Sequence, residues 1–139
     1  MNVIGFDYGS KLIGVAVGNR ITRNARPIGI LHNTQNGPEW NILEGWLKEW
    51  QPEVLVVGLP LTLDGAEQAA SRAARNFAEL LQRRYSLPVH AVDERMSSQE
   101  AARRFAARRA SGQARRKQGA SIDAVAAEVI TETWLAENP

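Results

Sequence analysis

The chain of 139 residues contains no cysteine. Disulfides and thiolate metal sites are thereby excluded, and a reducing cytoplasm is compatible with the composition. No apolar run approaches the roughly 20 residues that a bilayer-spanning helix needs. The opening Met1-Asn2-Val3-Ile4-Gly5 lacks the basic region of a secretory leader and already reads as a strand, so no signal peptide is expected. Histidine is scarce. His32 and His90 have no serine or metal-spaced partner, and both are read as structural. Repeats, low-complexity tracts and linkers are also missing, and one domain over residues 1–139 is expected.

Acid is missing from one region in particular. Residues 95–117 carry eight cations, Arg95, Arg103, Arg104, Arg108, Arg109, Arg115, Arg116 and Lys117, against Glu100 alone. Net charge over the chain is only +2, so the basic charge is concentrated there. Fourteen of the 17 cations are arginine, whose fork matches phosphate geometry. A solvated basic helix would have the same composition. The local excess favours a polyanion, and nucleic acid above others.

What is present reads as alternating strands and helices. Strands are expected at 2–7, 12–18 and Arg26–Leu31, the first two as a hairpin, followed by a loop at Asn33–Pro38. Ile42, Leu43, Trp46, Leu47 and Trp50 share one face of a helix from Glu39 to Trp50, which Pro52 ends. Trp40, Trp46 and Trp50 are read as core packing on this helix, and Trp134 as packing on the last one. Glu53–Gly58 is a continuous apolar strand, suited to burial on both faces of a sheet. A helix is expected over Ala66–Arg84, with Ala66, Ala69, Ala70, Ala73, Phe77, Leu80 and Leu81 inward. A short strand follows at Val89–Val92, then an arginine-rich helix at Ser98–Arg109, a basic loop at Ala110–Gly119 and a last helix at Ala120–Glu137. Three antiparallel strands followed by strand–helix alternation imply an α/β fold. Its mixed five-stranded sheet should carry helices on both faces.

Sites in open α/β sheets gather at the carboxyl ends of strands. Acids stand at three places where such a site would form. Asp7 ends the first strand, before the turn Gly9-Ser10-Lys11. Asp93 and Glu94 end the last strand. Asp123 opens the final helix. A lone buried carboxylate costs several kcal/mol by the usual transfer scales, roughly 2–7 for a polar group and more for a charge, so Asp7 should be paired or bound to a cation. Hard divalent cations take such oxygen ligands, and pairs of them promote phosphodiester cleavage. Taken singly, Asp7 could be a turn former and Asp123 a helix-dipole partner. Asp93 and Glu94 alternate in direction, so only one of them can face the other acids. Lys11 and Ser10 lie in a turn where phosphate could be met.

Four segments in order, Asp7–Gly18 (DYGSKLIGVAVG), Val56–Gly65 (VVGLPLTLDG), Asp93–Ser98 (DERMSS) and Ser121–Ile130 (SIDAVAAEVI), resemble the signature blocks of the YqgF family. That family is related to Holliday-junction resolvases and associated with trimming the 5′ end of pre-16S ribosomal RNA. The resemblance covers nearly the whole chain. It implies a ribonuclease-H-like fold and a Mg²⁺- or Mn²⁺-dependent nuclease, with Asp7, Glu94 and Asp123 as catalytic metal ligands. Resolvase relatives carry a glutamate at the end of the fourth strand, where this chain has Gly58-Leu59-Pro60. They also pair two aspartates on the last helix, where Ala126 and Ala127 follow Asp123 here.

The resulting expectation is a metal-dependent nuclease acting on pre-rRNA or structured nucleic acid, with ribosomal precursor particles as a partner. No membrane is involved, and the chain is a monomer or weak dimer. Lys11 and Arg95 would steady the scissile phosphate. Arg103, Arg104, Arg108, Arg115, Arg116 and Lys117 would hold the backbone with a steep salt dependence. Rival readings are a resolvase acting on DNA junctions and a non-catalytic RNA-binding assembly factor, which the missing fourth-strand acid favours. A nucleotide-binding fragment of the actin-like ATPase kind would need a second such domain.

Overall fold

The computed structural model describes residues 1–60, 68–93, 100, 102–104, 106–107 and 122–138. Strands β1 (Asn2–Tyr8), β2 (Leu12–Asn19), β3 (Ala25–Thr34) and β4 (Gly37–Pro38) come first. They are followed by helix α1 (Trp40–Trp50), β5 (Val54–Leu59), α2 (Ala69–Tyr85), β6 (Val89–Asp93) and α3 (Ile122–Glu137). The described residues between 100 and 107 are also helical. No helix among the described residues is long and apolar enough to cross a membrane.

The sheet runs in the order β4-β3-β2-β1-β5-β6. β1 to β4 are antiparallel neighbours, while β5 and β6 run parallel to β1. The mixed sheet is as expected, but it has six strands rather than five. The additional strand is two residues of the expected loop, where Pro38 and Gly37 pair with Asn33 and Thr34. Thr34 holds this return by donating its hydroxyl to the Gly37 carbonyl at 3.0 Å. β3 is longer than expected for the same reason.

Alternation in the central strands divides the interior into two layers. Ile4, Phe6, Ile13, Val15, Val17, Leu55 and Val57 pack with Leu43 of α1 and with Phe77 and Leu81 of α2. Val3, Val54, Val56 and Val92 pack on the other face against Ile130, Trp134 and Leu135 of α3. Burying each large apolar side chain contributes about 1.5–3 kcal/mol. Helices on both faces follow from two apolar faces in β1 and β5.

The inward stripe of α2 differs from the expected one. Ser71, Ala74, Phe77 and Leu81 are buried, whereas Ala69 and Ala70 are exposed and Leu80 is 38 % exposed. Alanine gives little directional information, so a polar residue sets the rotation of the first turn. The Ser71 hydroxyl donates to the Pro60 carbonyl and accepts the Gln68 N–H at 3.1 Å. On α3, Ala124, Val125, Ala127 and Ile130 are fully buried, whereas Ile122 is 43 % exposed.

Candidate active site

Asp7 lies on the α3 face of the sheet, two residues beyond Gly5 and opposite Gly14 of β2. Those two glycines explain how a helix comes so close. A Cβ on Gly14 would overlap the backbone carbonyl of Asp123, and one on Gly5 would overlap the Thr131 hydroxyl. With hydrogen in place of side chains, α3 descends onto the backbone of β1 and β2. Thr131 fills the space over Gly5 and donates its hydroxyl to the Ala127 carbonyl at 2.7 Å. The first turn of α3 is set beside the carboxyl end of β1. Asp7 and Asp123 therefore share one site, each flanking Gly14.

The electrostatic consequence falls on Asp7. Burial, and secondarily the negative charge of Asp123, push its carboxyl up from 3.8 to about 7. Asp7 keeps some accessible surface, but protein packs closely around most of it. Among the described residues, no group donates a hydrogen bond to its carboxylate. Two carboxylates held together without a counter-charge among the described residues suit a cation, and the unfavourable charge is what a cation would relieve.

The turn beyond Asp7 is braced from β3. Asn33 donates its amide to the Tyr8 hydroxyl and to the Gly9 carbonyl, both at 3.0 Å. The Asn33 N–H reaches the Lys11 carbonyl at 2.8 Å. Tyr8 packs its ring on Phe77 at 4.7 Å between centroids, which ties the turn to α2. Lys11 stands exposed at this end of the sheet. His32 Nδ1 lies 3.2 Å from the Glu39 carboxylate there, and with the His32 side chain 63 % exposed it is a surface residue. His90 lies against Trp134 at 5.5 Å. Trp40, Trp46 and Trp50 pack half-buried against the first core layer.

β6 lies two places from β1 in the sheet. Asp93 pairs with Leu59, whose side chain belongs to the α1–α2 layer, so it shares the face away from Asp7. Glu94 and Arg95 fall outside the described residues, as do Arg108, Arg109, Arg115, Arg116 and Lys117. Arg103 and Arg104 are described and differ. Arg103 is 69 % exposed and pairs with Glu100 at 2.6 Å. Arg104 is turned inward, to Glu100 at 2.7 Å, Glu128 at 3.0 Å and Glu132 at 2.7 Å. Burial works against its charge, but hydrogen bonds to Glu100 and Glu132 hold its proton more tightly than usual.

Sequence reasoning missed four participants. Gly5 and Gly14 interrupt otherwise β-branched strands, and that interruption is a readable sign of close backbone approach. Thr131 carried no comparable sign. Glu128 is 4 % exposed, and its partner Arg104 lies 24 residues away, beyond any local pattern.

A family model described as RuvX, Holliday junction resolvase, matches residues 1–137. A protein of Xanthomonas axonopodis pv. citri, named as a candidate pre-16S rRNA nuclease, is 51 % identical over 134 residues, which is 96 % of this chain and 86 % of that one. A protein of the same name from Xanthomonas campestris pv. campestris strain B100 is 51 % identical over 133 residues, with the same coverage. Among solved structures, T. thermophilus RuvC in complex with a Holliday junction substrate superposes with a TM-score of 0.59. It is 18 % identical, over 96 % of this chain and 92 % of that chain. The fowlpox virus Holliday junction resolvase gives 0.59 at 13 % identity, over 99 % of both chains. Those two likenesses concern the fold, and they agree with the ribonuclease-H-like architecture expected.

Proposed function

The chain belongs to the RuvX family, described as Holliday junction resolvases, and from that premise we propose that it is a metal-dependent nuclease that trims the 5′ end of pre-16S ribosomal RNA. The pairing of Asp7 with Asp123 across Gly14 carries this reading. The donors fit Mg²⁺ or Mn²⁺. They are hard oxygens, and Mg²⁺ is commonly held by one or two carboxylates together with substrate phosphate. No cluster of three such side chains occurs among the described residues, and Glu94 is the proposed third ligand. Asp93 is set aside because its register turns it to the other face.

A bound divalent cation supplies charge neutralisation at the phosphate and activation of the attacking water. The chain's own residues do the rest. Asp7 must lose its proton for the site to hold a cation, so burial sets a lower pH limit on activity. Lys11, on a turn braced by Asn33 and Tyr8, meets a phosphate oxygen adjoining the scissile bond. Arg103 and the cations of 108–117 hold the backbone by charge alone. Arg104 is engaged by three glutamates, which favours an anchoring role over phosphate contact. The names of the curated relatives support ribosomal RNA as substrate.

The test is to incubate the protein with Mg²⁺ or Mn²⁺ and two substrates, a 5′-extended 16S precursor RNA and a four-way DNA junction, beside Asp7→Asn. Cleavage of the RNA that disappears in the variant is expected. Cleavage of the junction alone would move the substrate to DNA. Salt-sensitive binding without cleavage in either protein would leave a non-catalytic RNA-binding factor.

A further inference from the structure

A second recess lies at the other end of β1 from Asp7. Asn2 and Asp7 are five positions apart along the strand, about 17 Å at the usual rise. The recess has a volume of about 340 Å³ and opens between the β2–β3 hairpin tip and the end of α1. Its polar lining is Asn2, Asn19, Thr22, Asn24, Arg26 and Trp50, with no carboxylate among the described residues that form it.

Its walls are fixed in advance. Arg23 adopts a left-handed conformation, φ 61°, unusual for a residue with a side chain. The tip around it is closed by Arg23 N–H to the Asn19 carbonyl at 2.7 Å and by Asn19 N–H to the Asn24 carbonyl at 3.1 Å. The Asn19 side-chain oxygen accepts from the N–H groups of Ile21 and Thr22. Asn2 joins this tip to the helix end. It accepts from the Asn19 amide at 3.0 Å and donates to the Trp50 carbonyl at 2.6 Å. The Arg26 guanidinium lies over the Trp50 ring, 4.9 Å from its centroid. Stacking on the indole holds Arg26 in place, so little further ordering is needed when a ligand binds. Arg26, Thr22 and Asn24 remain exposed, as does Ile21, at 78 %.

A platform of this kind has a specific chemical partner. Guanidinium planes and aromatic rings stack unpaired bases, side-chain amides and hydroxyls bond base edges, and a recess lined by a cation without acids favours a phosphate-bearing ligand. We propose that this recess binds one unpaired nucleotide of the nucleic-acid substrate, with its base stacked on the outer face of Arg26 and its edge hydrogen-bonded by Asn24 and Thr22. Arg23, exposed on the tip, meets the adjoining phosphate. The inference rests on the nuclease reading above and deepens it. The substrate is gripped at a point remote from the cut, through a strand that is not base-paired there.

The test uses the full chain, ¹⁵N-labelled and in EDTA so that no cleavage occurs. It is titrated with a single-stranded RNA hexamer of mixed sequence and, separately, with its DNA counterpart. The expected result is a shift of the Trp50 indole N–H and the Asn24 side-chain amide signals. Arg26→Glu should weaken the midpoint of those shifts about thirtyfold, the middle of the range for loss of one stacked base. Arg26→Lys, which keeps the charge and loses the plane, should be nearly as weak, and a backbone spectrum unchanged outside the recess would show both variants folded. Two results overturn the inference while leaving the nuclease reading intact. One is cleavage of a long substrate with hexamer shifts confined to the Asp7 end and indifferent to Arg26. The other is recess shifts that follow protein concentration without oligonucleotide, which would make a second copy the occupant. Absence of both cleavage and nucleic-acid binding overturns the nuclease reading, and this inference falls with it.

Discussion

Replacing Asp7 with asparagine should make the metal-free protein more stable at alkaline pH while abolishing cleavage. The substitution keeps the shape of the side chain and removes its charge. Burial and Asp123 raise the folded-state value of Asp7 from 3.8 to about 7. Below the lower value, folded and unfolded chains both carry the proton and no penalty exists. Between the two, the folded chain keeps a proton that the unfolded chain has lost, so wild-type stability falls as pH rises. Above about 7 both are ionised, and the full penalty applies. Three units at 1.36 kcal/mol each make that penalty about 4 kcal/mol at pH 8, and under about 2 at pH 5. In a domain of this size about 4 kcal/mol corresponds to a melting temperature higher by about 10 °C or more. Thermal unfolding in EDTA, wild type against Asp7→Asn at pH 5 and pH 8, measures it. Added Mg²⁺ should raise the melting temperature of the wild type and leave the variant unmoved. A variant at or below wild-type stability at pH 8 would refute the claim that Asp7 is held charged against an unfavourable environment.

Other outcomes follow from the same geometry. Gly14→Ala places a methyl group against the Asp123 carbonyl and should cost about 1–3 kcal/mol in chemical denaturation, with a larger loss of cleavage than of stability because α3 must shift. Arg104→Ala removes the cation that joins Glu100, the nearly buried Glu128 and Glu132, and should destabilise by about 3–5 kcal/mol in denaturant unfolding. Phe77→Ala removes the ring that Phe6 and Tyr8 pack against and should cost about 3–5 kcal/mol in denaturant unfolding. If the basic segment grips phosphate, nucleic-acid affinity measured from 50 to 200 mM salt should fall steeply, and a flat response would exclude that role.

The hairpin of β1 and β2 was readable because two apolar runs flank a short glycine-containing turn, and Asp7 stood out as the charge that ends the first run. The mixed character of the sheet followed from antiparallel strands succeeded by crossovers. The nearness of Asp123 to Asp7 was not readable in the same way. It depends on Gly5 and Gly14 admitting α3 to the backbone, a relation between residues over a hundred positions apart. The inward face of α2 was misplaced because alanines at nearly every turn leave the choice to Ser71 and the Pro60 carbonyl, a contact across a loop. Arg104 reads as one arginine among eight cations. Only the fold reveals the three glutamates around it. Local periodicity finds elements, whereas packing between distant elements decides which charges meet.

The most direct test of the account is the affinity of Mn²⁺ for the wild type, Asp7→Asn and Asp123→Asn, measured by calorimetry from pH 6 to 8. The account predicts binding to the wild type that strengthens as pH rises through about 7, the value to which Asp7 is pushed, and that is lost in both variants. Equal binding by all three proteins, or wild-type binding indifferent to pH, would contradict it.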